Sequence, residues 1–147
     1  MRKNFVIVTS ILLVSFLTGC ATVPLAPTED DTARKTFTAP PEGHAGIYIY
    51  RNSTFGGALK KSLYINGEFI GESAPLTYFY KEVVAGEHRL STESEFSDND
   101  LVVNTEGGQN YFVRQYIKFG VFVGGANLEL VSEDVGKEGV LECKLAK

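Results

Sequence analysis

Asn66-Gly67, set between Leu63-Tyr64-Ile65 and Glu68-Phe69-Ile70, most narrows what this chain can fold into. Asn-Gly supplies the positive φ angles of a two-residue type I′ turn, whose twist suits an antiparallel hairpin and fixes its register. Gly67→Val is expected to cost at least about 1 kcal/mol, because a β-branched residue is strongly disfavoured at positive φ. Asn66→Ser is expected to cost less.

Other segments repeat the strand signature. Ile47-Tyr48-Ile49-Tyr50 has β-branched and aromatic content, and Arg51-Asn52-Ser53 begins a polar break that Gly56-Gly57 completes. Residues 77–84 form another strand, Gly86 turns the chain, and Glu87-His88-Arg89-Leu90 places His88 and Leu90 on one face. A polar turn at Ser97-Asp98-Asn99-Asp100 precedes Leu101-Val102-Val103. Glu106-Gly107-Gly108 leads into residues 110–117, and Leu128-Glu129-Leu130-Val131 alternates as a half-buried strand does. Short strands at this spacing predict a mostly β class, an antiparallel β-sandwich or partly open barrel. After Val131, Ser132 suits an N-cap, and Leu141 and Leu145 can share a helical face despite Gly136 and Gly139, each costing about 1 kcal/mol in a helix. A short C-terminal helix is expected there, with a closing strand over residues 140–145 as the alternative.

The N-terminal end is organised differently. Arg2 and Lys3 precede an apolar run over residues 5–17 and the small pair Thr18-Gly19, the pattern of a secretory signal peptide. The run falls short of the roughly 20 apolar residues needed to span a bilayer. Leu17-Thr18-Gly19-Cys20 resembles the lipobox of bacterial lipoproteins. That resemblance implies that residues 1–19 are removed, that Cys20 takes a diacylglyceryl thioether and becomes acylated, and that Ala21 behind it directs the protein to the outer membrane. Residues 20–43, with Pro24, Pro27, Pro40 and Pro41 among small and acidic residues, read as a lipidated tether. One short helix is expected over residues 29–37, with Thr28 as its N-cap and Glu29, Asp30 and Asp31 in the first turn. Residues 44–147 are expected to be the single β-sandwich domain.

Removing residues 1–19 from the 147 leaves 128, enough for a self-sufficient core. Taking Arg2 and Lys3 from 14 basic side chains leaves 12 against 18 acidic ones, a net charge of −6. Phosphate binding depends on Lys and Arg clusters, so a nucleic-acid partner is not expected. Adhesion to anionic lipid lacks a polybasic patch as well, which leaves the lipid chains to do the anchoring. With Cys20 committed to lipid, Cys143 stands alone and is expected to be a buried thiol acting as a small hydrophobe.

Leu63-Tyr64-Ile65-Asn66-Gly67-Glu68-Phe69-Ile70-Gly71, then Pro75, then Val84-Ala85-Gly86-Glu87-His88-Arg89-Leu90, resembles the repeat of PEGA-type, transthyretin-like β-sandwich domains. It departs at Ala85, where proline is usual. Together with the lipobox, Ile47 to Arg51 and Gly108-Gln109-Asn110-Tyr111-Phe112-Val113-Arg114, the chain resembles a family of small bacterial lipoproteins of unknown function from about Phe37 onward. The likeness implies fold and location, not an activity.

Catalytic patterns are weak. His44 and His88 are the only histidines and lack metal-ligand spacing, so neither metal nor cofactor is expected. Ser97-Asp98-Asn99 copies one element of the serine β-lactamase set without its partners. Asp98 and Asp100 read as a solvated turn, Glu87, Glu93 and Glu95 as the wet face of a strand, and His88 as a hydrogen-bonded core or rim residue. The paired glycines at 56–57, 107–108 and 124–125 lack the continuation of a phosphate loop.

The expected function is that of a non-enzymatic outer-membrane lipoprotein, a tethered module that contacts another envelope component, with an envelope protein as partner. The alternatives are a carrier of a small apolar or glycan ligand and an envelope hydrolase with an unrecognised site. One apolar segment escapes the strand pattern: residues 119–125, with Phe119, Val121, Phe122 and Val123. Either the flanking strands continue as a long hairpin with its tip at Gly124-Gly125 and its Phe residues capping the core, or the segment is an exposed tongue that touches a partner.

Overall fold

The computed structural model describes residues 19–94 and 96–147. The expected signal segment up to Thr18, and Glu95, lie outside the described residues. Within them the order is α1 (Thr28–Arg34), β1 (His44–Arg51), β2 (Lys61–Ile65), β3 (Glu68–Ser73), β4 (Thr77–Val84), β5 (Gly86–Glu93), β6 (Asp98–Thr105), β7 (Asn110–Lys118), β8 (Gly125–Val131), α2 (Glu133–Leu141) and β9 (Lys144–Leu145). The strands form two sheets, β8-β7-β1-β4-β9 and β3-β2-β5-β6, packed as a sandwich. Not every pairing is antiparallel: β1 runs parallel to β7, and β9 parallel to β4. A parallel pair cannot be closed by a tight turn. Here the whole second sheet is the excursion between β1 and β7.

β1 is buried on both faces, which accounts for its uninterrupted apolar sequence. Ile47 and Ile49 join Leu63, Leu90, Val103 and Val113 between the sheets. Tyr48 and Tyr50 point the other way, into a second cluster with Tyr78, Phe112, Val140 and Cys143. Helix α2 covers that cluster, and its two glycines are the reason it can. A Cβ on Gly136 would fall on Phe112, and one on Gly139 on the Tyr50 ring.

Ser132 does occupy the N-cap position of α2, without a side-chain capping bond. The helix stops at Leu141, which is 56% exposed, so Leu141 and Leu145 do not share a helical face. Both expected endings occur in succession: Lys144 N–H donates to Leu76 O and Ala146 N–H to Tyr78 O, and the last residues add a strand beside β4.

The β2–β3 hairpin has its turn where the sequence places it, with Asn66 at φ 53° and Gly67 at φ 80°. By contrast, the polar turn expected at residues 97–100 lies three residues earlier. Ser94 N–H bonds Ser97 O, and Asp98, Asn99 and Asp100 are already paired in β6 opposite β5.

The largest correction concerns residues 20–43. They are docked, not slack. Ala21 N–H donates to Gly57 O at 2.7 Å, Val23 packs on the inter-sheet core, and Leu25 bridges Ala146. Helix α1 is shorter than expected, with Pro27 at its N-cap and Thr28 already helical. Asp31 fixes it: its carboxylate accepts from Leu145 N–H and Lys35 Nζ, each at 3.1 Å. Burial alone would raise its pKa, but the Lys35, Tyr78 and Leu145 bonds hold it below the usual carboxylate value. Phe37, with φ 54°, leaves the helix and sets its ring edge-on to Tyr48 and Phe112.

Candidate functional site

The apolar tongue is a loop and not a continued hairpin. Pairing of β7 with β8 stops at Lys118 opposite Gly125. Beyond it Phe119 is 88% exposed, Phe122 84%, Val121 76% and Val123 53%. The core at this end is closed by backbone, since Gly124 approaches Leu59 and Ile117 where a Cβ would collide. The Phe rings are left outside.

A second loop, residues 52–60, lies against the tongue. Buried Arg51 organises it: Nη1 donates to Leu59 O at 2.7 Å, and Nη2 to Gly56 O at 2.9 Å and Phe55 O at 3.2 Å. Among the described residues no acid pairs with this guanidinium; three backbone carbonyls satisfy its terminal nitrogens, and burial lowers its pKa. The result is a fixed Phe55, half exposed, whose ring meets Phe119 edge-on at 5.1 Å between centroids. Cys20 is exposed beside Gly57 of the same loop. The turn carrying exposed Phe96 belongs to this end too, because Asn99 near it bonds Ala126 at the start of β8.

Other candidate residues sit elsewhere and are spent on structure. His88 is buried at the rim. Asn66 Oδ1 accepts Arg89 N–H at 2.9 Å, so its Nδ2 faces His88 Nδ1, also at 2.9 Å; His88 Nε2–H then donates to Val84 O at 2.7 Å. Glu87 is exposed, Glu93 accepts from Ser62, and Asp100 stands 3.8 Å from Arg89. Cys143 is buried, as expected of a small hydrophobe, and burial pushes its thiol pKa up to about 12.

Sequence reasoning misses two features. Arg51 reads as part of a polar break, although a lone Arg ending an apolar strand before Gly56-Gly57 is the available signal. The second is a buried polar string: Ser73 Oγ donates to Gln115 Oε1, Gln115 Nε2 to Thr92 Oγ1 at 2.7 Å, and Thr92 Oγ1 to Ser62 O at 3.1 Å. It ties one sheet to the other and leaves its members satisfied.

An uncharacterized protein of Haemophilus influenzae is similar at 58% identity over 130 residues, 88% of this chain and 77% of that protein. No solved structure matches. A family model matches residues 41–126, from just before β1 into the start of β8, and leaves both helices outside. By that match and that identity, the chain belongs to the family described as "Protein of unknown function (DUF2846)".

Proposed function

We propose that this chain is a non-enzymatic lipoprotein of the bacterial envelope, anchored in the outer membrane through Cys20, and that it acts by contact. The observation that carries the contact role is the tongue, with Phe119 and Phe122 each more than four-fifths exposed beside half-exposed Phe55. A contiguous apolar surface of this kind marks an interaction site. The anchor is supported by Leu17-Thr18-Gly19-Cys20 behind a charged and then apolar leader, and by the exposure of Cys20. The PEGA-like hairpin, with its Asn66-Gly67 turn, fits such a module. A ligand held between the sheets is less well supported, because Ile49, Leu63, Leu90 and Val113 fill that space.

Labelled fatty acid and a photoreactive residue test this. Cys20→Ser should abolish incorporation of label and release the chain from the outer-membrane fraction. A photoreactive side chain at position 119 should capture an envelope component, while one at Glu106 should not. Undiminished labelling removes the anchor; no capture at 119 removes the contact.

A further inference from the structure

We infer that the apolar pole made by Phe55, Phe119, Val121 and Phe122 inserts into the interfacial layer of the same bilayer that holds the lipid on Cys20. This rests on the anchoring proposed above. The independent observation is the absence of slack between the lipid attachment point and the body. Ala21, the next residue, is already hydrogen-bonded to Gly57, and Cys20 Sγ would lie 3.9 Å from a Cβ built on that glycine. Further on, Lys147 N–H donates to Pro24 O and Ala26 N–H to Leu145 O, so the segment stays pinned as it leaves the loop.

One residue of chain reaches at most about 3.6 Å. The headgroup layer on each side of the hydrocarbon is roughly 5–7 Å thick. A thioether-linked glycerol at Cys20 therefore brings the 52–60 loop to the membrane surface, and the Phe55–Phe119 contact carries the tongue there with it. Charge agrees. Lys60 and Lys118 are the only ionisable residues in segments 52–60 and 118–124, so neither segment carries an acid to be desolvated. Lys118 can extend its ammonium group to the phosphates while its stem lies along apolar surface; Lys60 stands 3.9 Å from Glu72 Oε2, an exposed pairing that a phosphate can displace.

The chain contains no tryptophan, so Phe122→Trp creates a single reporter. The full-length processed protein, purified from membranes and checked by mass for its lipid, is reconstituted in phosphatidylethanolamine and phosphatidylglycerol vesicles with or without lipids brominated in the acyl chain. Indole emission from Phe122→Trp should shift to the blue and be quenched by brominated lipid; Phe119→Trp should respond alike, and Glu106→Trp at the β6–β7 turn should stay water-like. Matching thermal melts show that the variants fold. If the chain is lipidated and vesicle-bound but the indoles at positions 119 and 122 remain water-like and unquenched, the inserted pole is overturned and the anchor stands. The same holds if position 119 in native envelopes crosslinks to a protein and not to lipid. A chain that carries no lipid overturns both readings.

Discussion

Gly136→Ala should destabilise the protein, although the same change in an ordinary helix interior stabilises it by about 1 kcal/mol. The sign reverses because of what lies beneath. A methyl at 136 would overlap Cβ and Cγ of Phe112, atoms fixed to β7, and the Phe112 ring is stacked on Tyr48 at 5.0 Å and flanked by Phe37 at 5.7 Å. Overpacking a core costs about 1–3 kcal/mol, and a neighbour that cannot turn aside puts this site near the top of that range. Subtracting the gain in propensity leaves a net loss of about 2 kcal/mol. For a domain of this size that is a fall in Tm of roughly 8 °C, against a rise of roughly 4 °C if propensity alone operates. Gly139→Ala should lose less, because its methyl meets the far end of the Tyr50 ring, which can shift. Thermal melts followed by circular dichroism measure both. Adding Phe112→Leu to Gly136→Ala should cost less than the sum of the single changes. A higher Tm for Gly136→Ala would mean that α2 does not rest on Phe112.

Two further outcomes concern the hairpin and the buried phenols and thiol. Asn66→Ser should cost about 2–3 kcal/mol, more than the roughly 1 kcal/mol of Gly67→Ala, because Asn66 combines a positive φ with bonds to His88 and Arg89, whereas a Cβ on Gly67 meets nothing within 4 Å. Turn chemistry alone expects Asn66→Ser to cost less than Gly67→Val; the bonds to His88 and Arg89 raise its cost, and equal urea midpoints for Asn66→Ser and Gly67→Ala would refute this. Stability should fall from pH 9 upward: burial raises Cys143 from 9.0 and Tyr48 from 10.0 to about 12, and raises Tyr78 too. A raised folded pKa contributes stability that is intact below the unfolded value and lost on the way to the folded one, at up to about 1.4 kcal/mol per pH unit per group. Urea midpoints measured from pH 7 to 11 should decline above 9, less steeply in Cys143→Ala; a flat profile would refute the shifts.

The strands are legible in the sequence because their side chains alternate or run apolar, and the hairpin because Asn-Gly is one of the few pairs that suit its turn. What escapes is nonlocal. Residues 21–40 look like a linker because their few anchors, Val23, Asp31 and Phe37, are scattered among prolines and threonines, and their partners lie far away in sequence, in the inter-sheet core, the C-terminal strand and the Tyr48–Phe112 pair. Gly136 and Gly139 read as a penalty until Phe112 and Tyr50 are seen beneath them. The tongue admits two outcomes on sequence alone, and its exposure turns on the tight approach of Gly124 to Ile117, which spacing does not encode. Its link to Cys20 passes from the Phe55–Phe119 ring contact through the 52–60 loop, whose carbonyls are held by the Arg51 guanidinium and by Ala21 N–H.

The pairing of Leu25 with Ala146 also orders events in time. These two residues are far apart in sequence, with all the strands between them, so their contact forms only after that intervening chain is available. Until residues 144–147 arrive, residues 24–26 lack their partners along that edge, and the segment behind Cys20 is held by Ala21 on Gly57 and by Val23 on the core alone. Residues 144–147 then add the second set of contacts, Lys147 N–H to Pro24 O and Ala26 N–H to Leu145 O. A chain lacking residues 144–147 would keep both principal sheets, since β9 contributes only two pairs to one edge, and would lose the Pro24, Leu25 and Ala26 contacts while keeping Ala21 on Gly57.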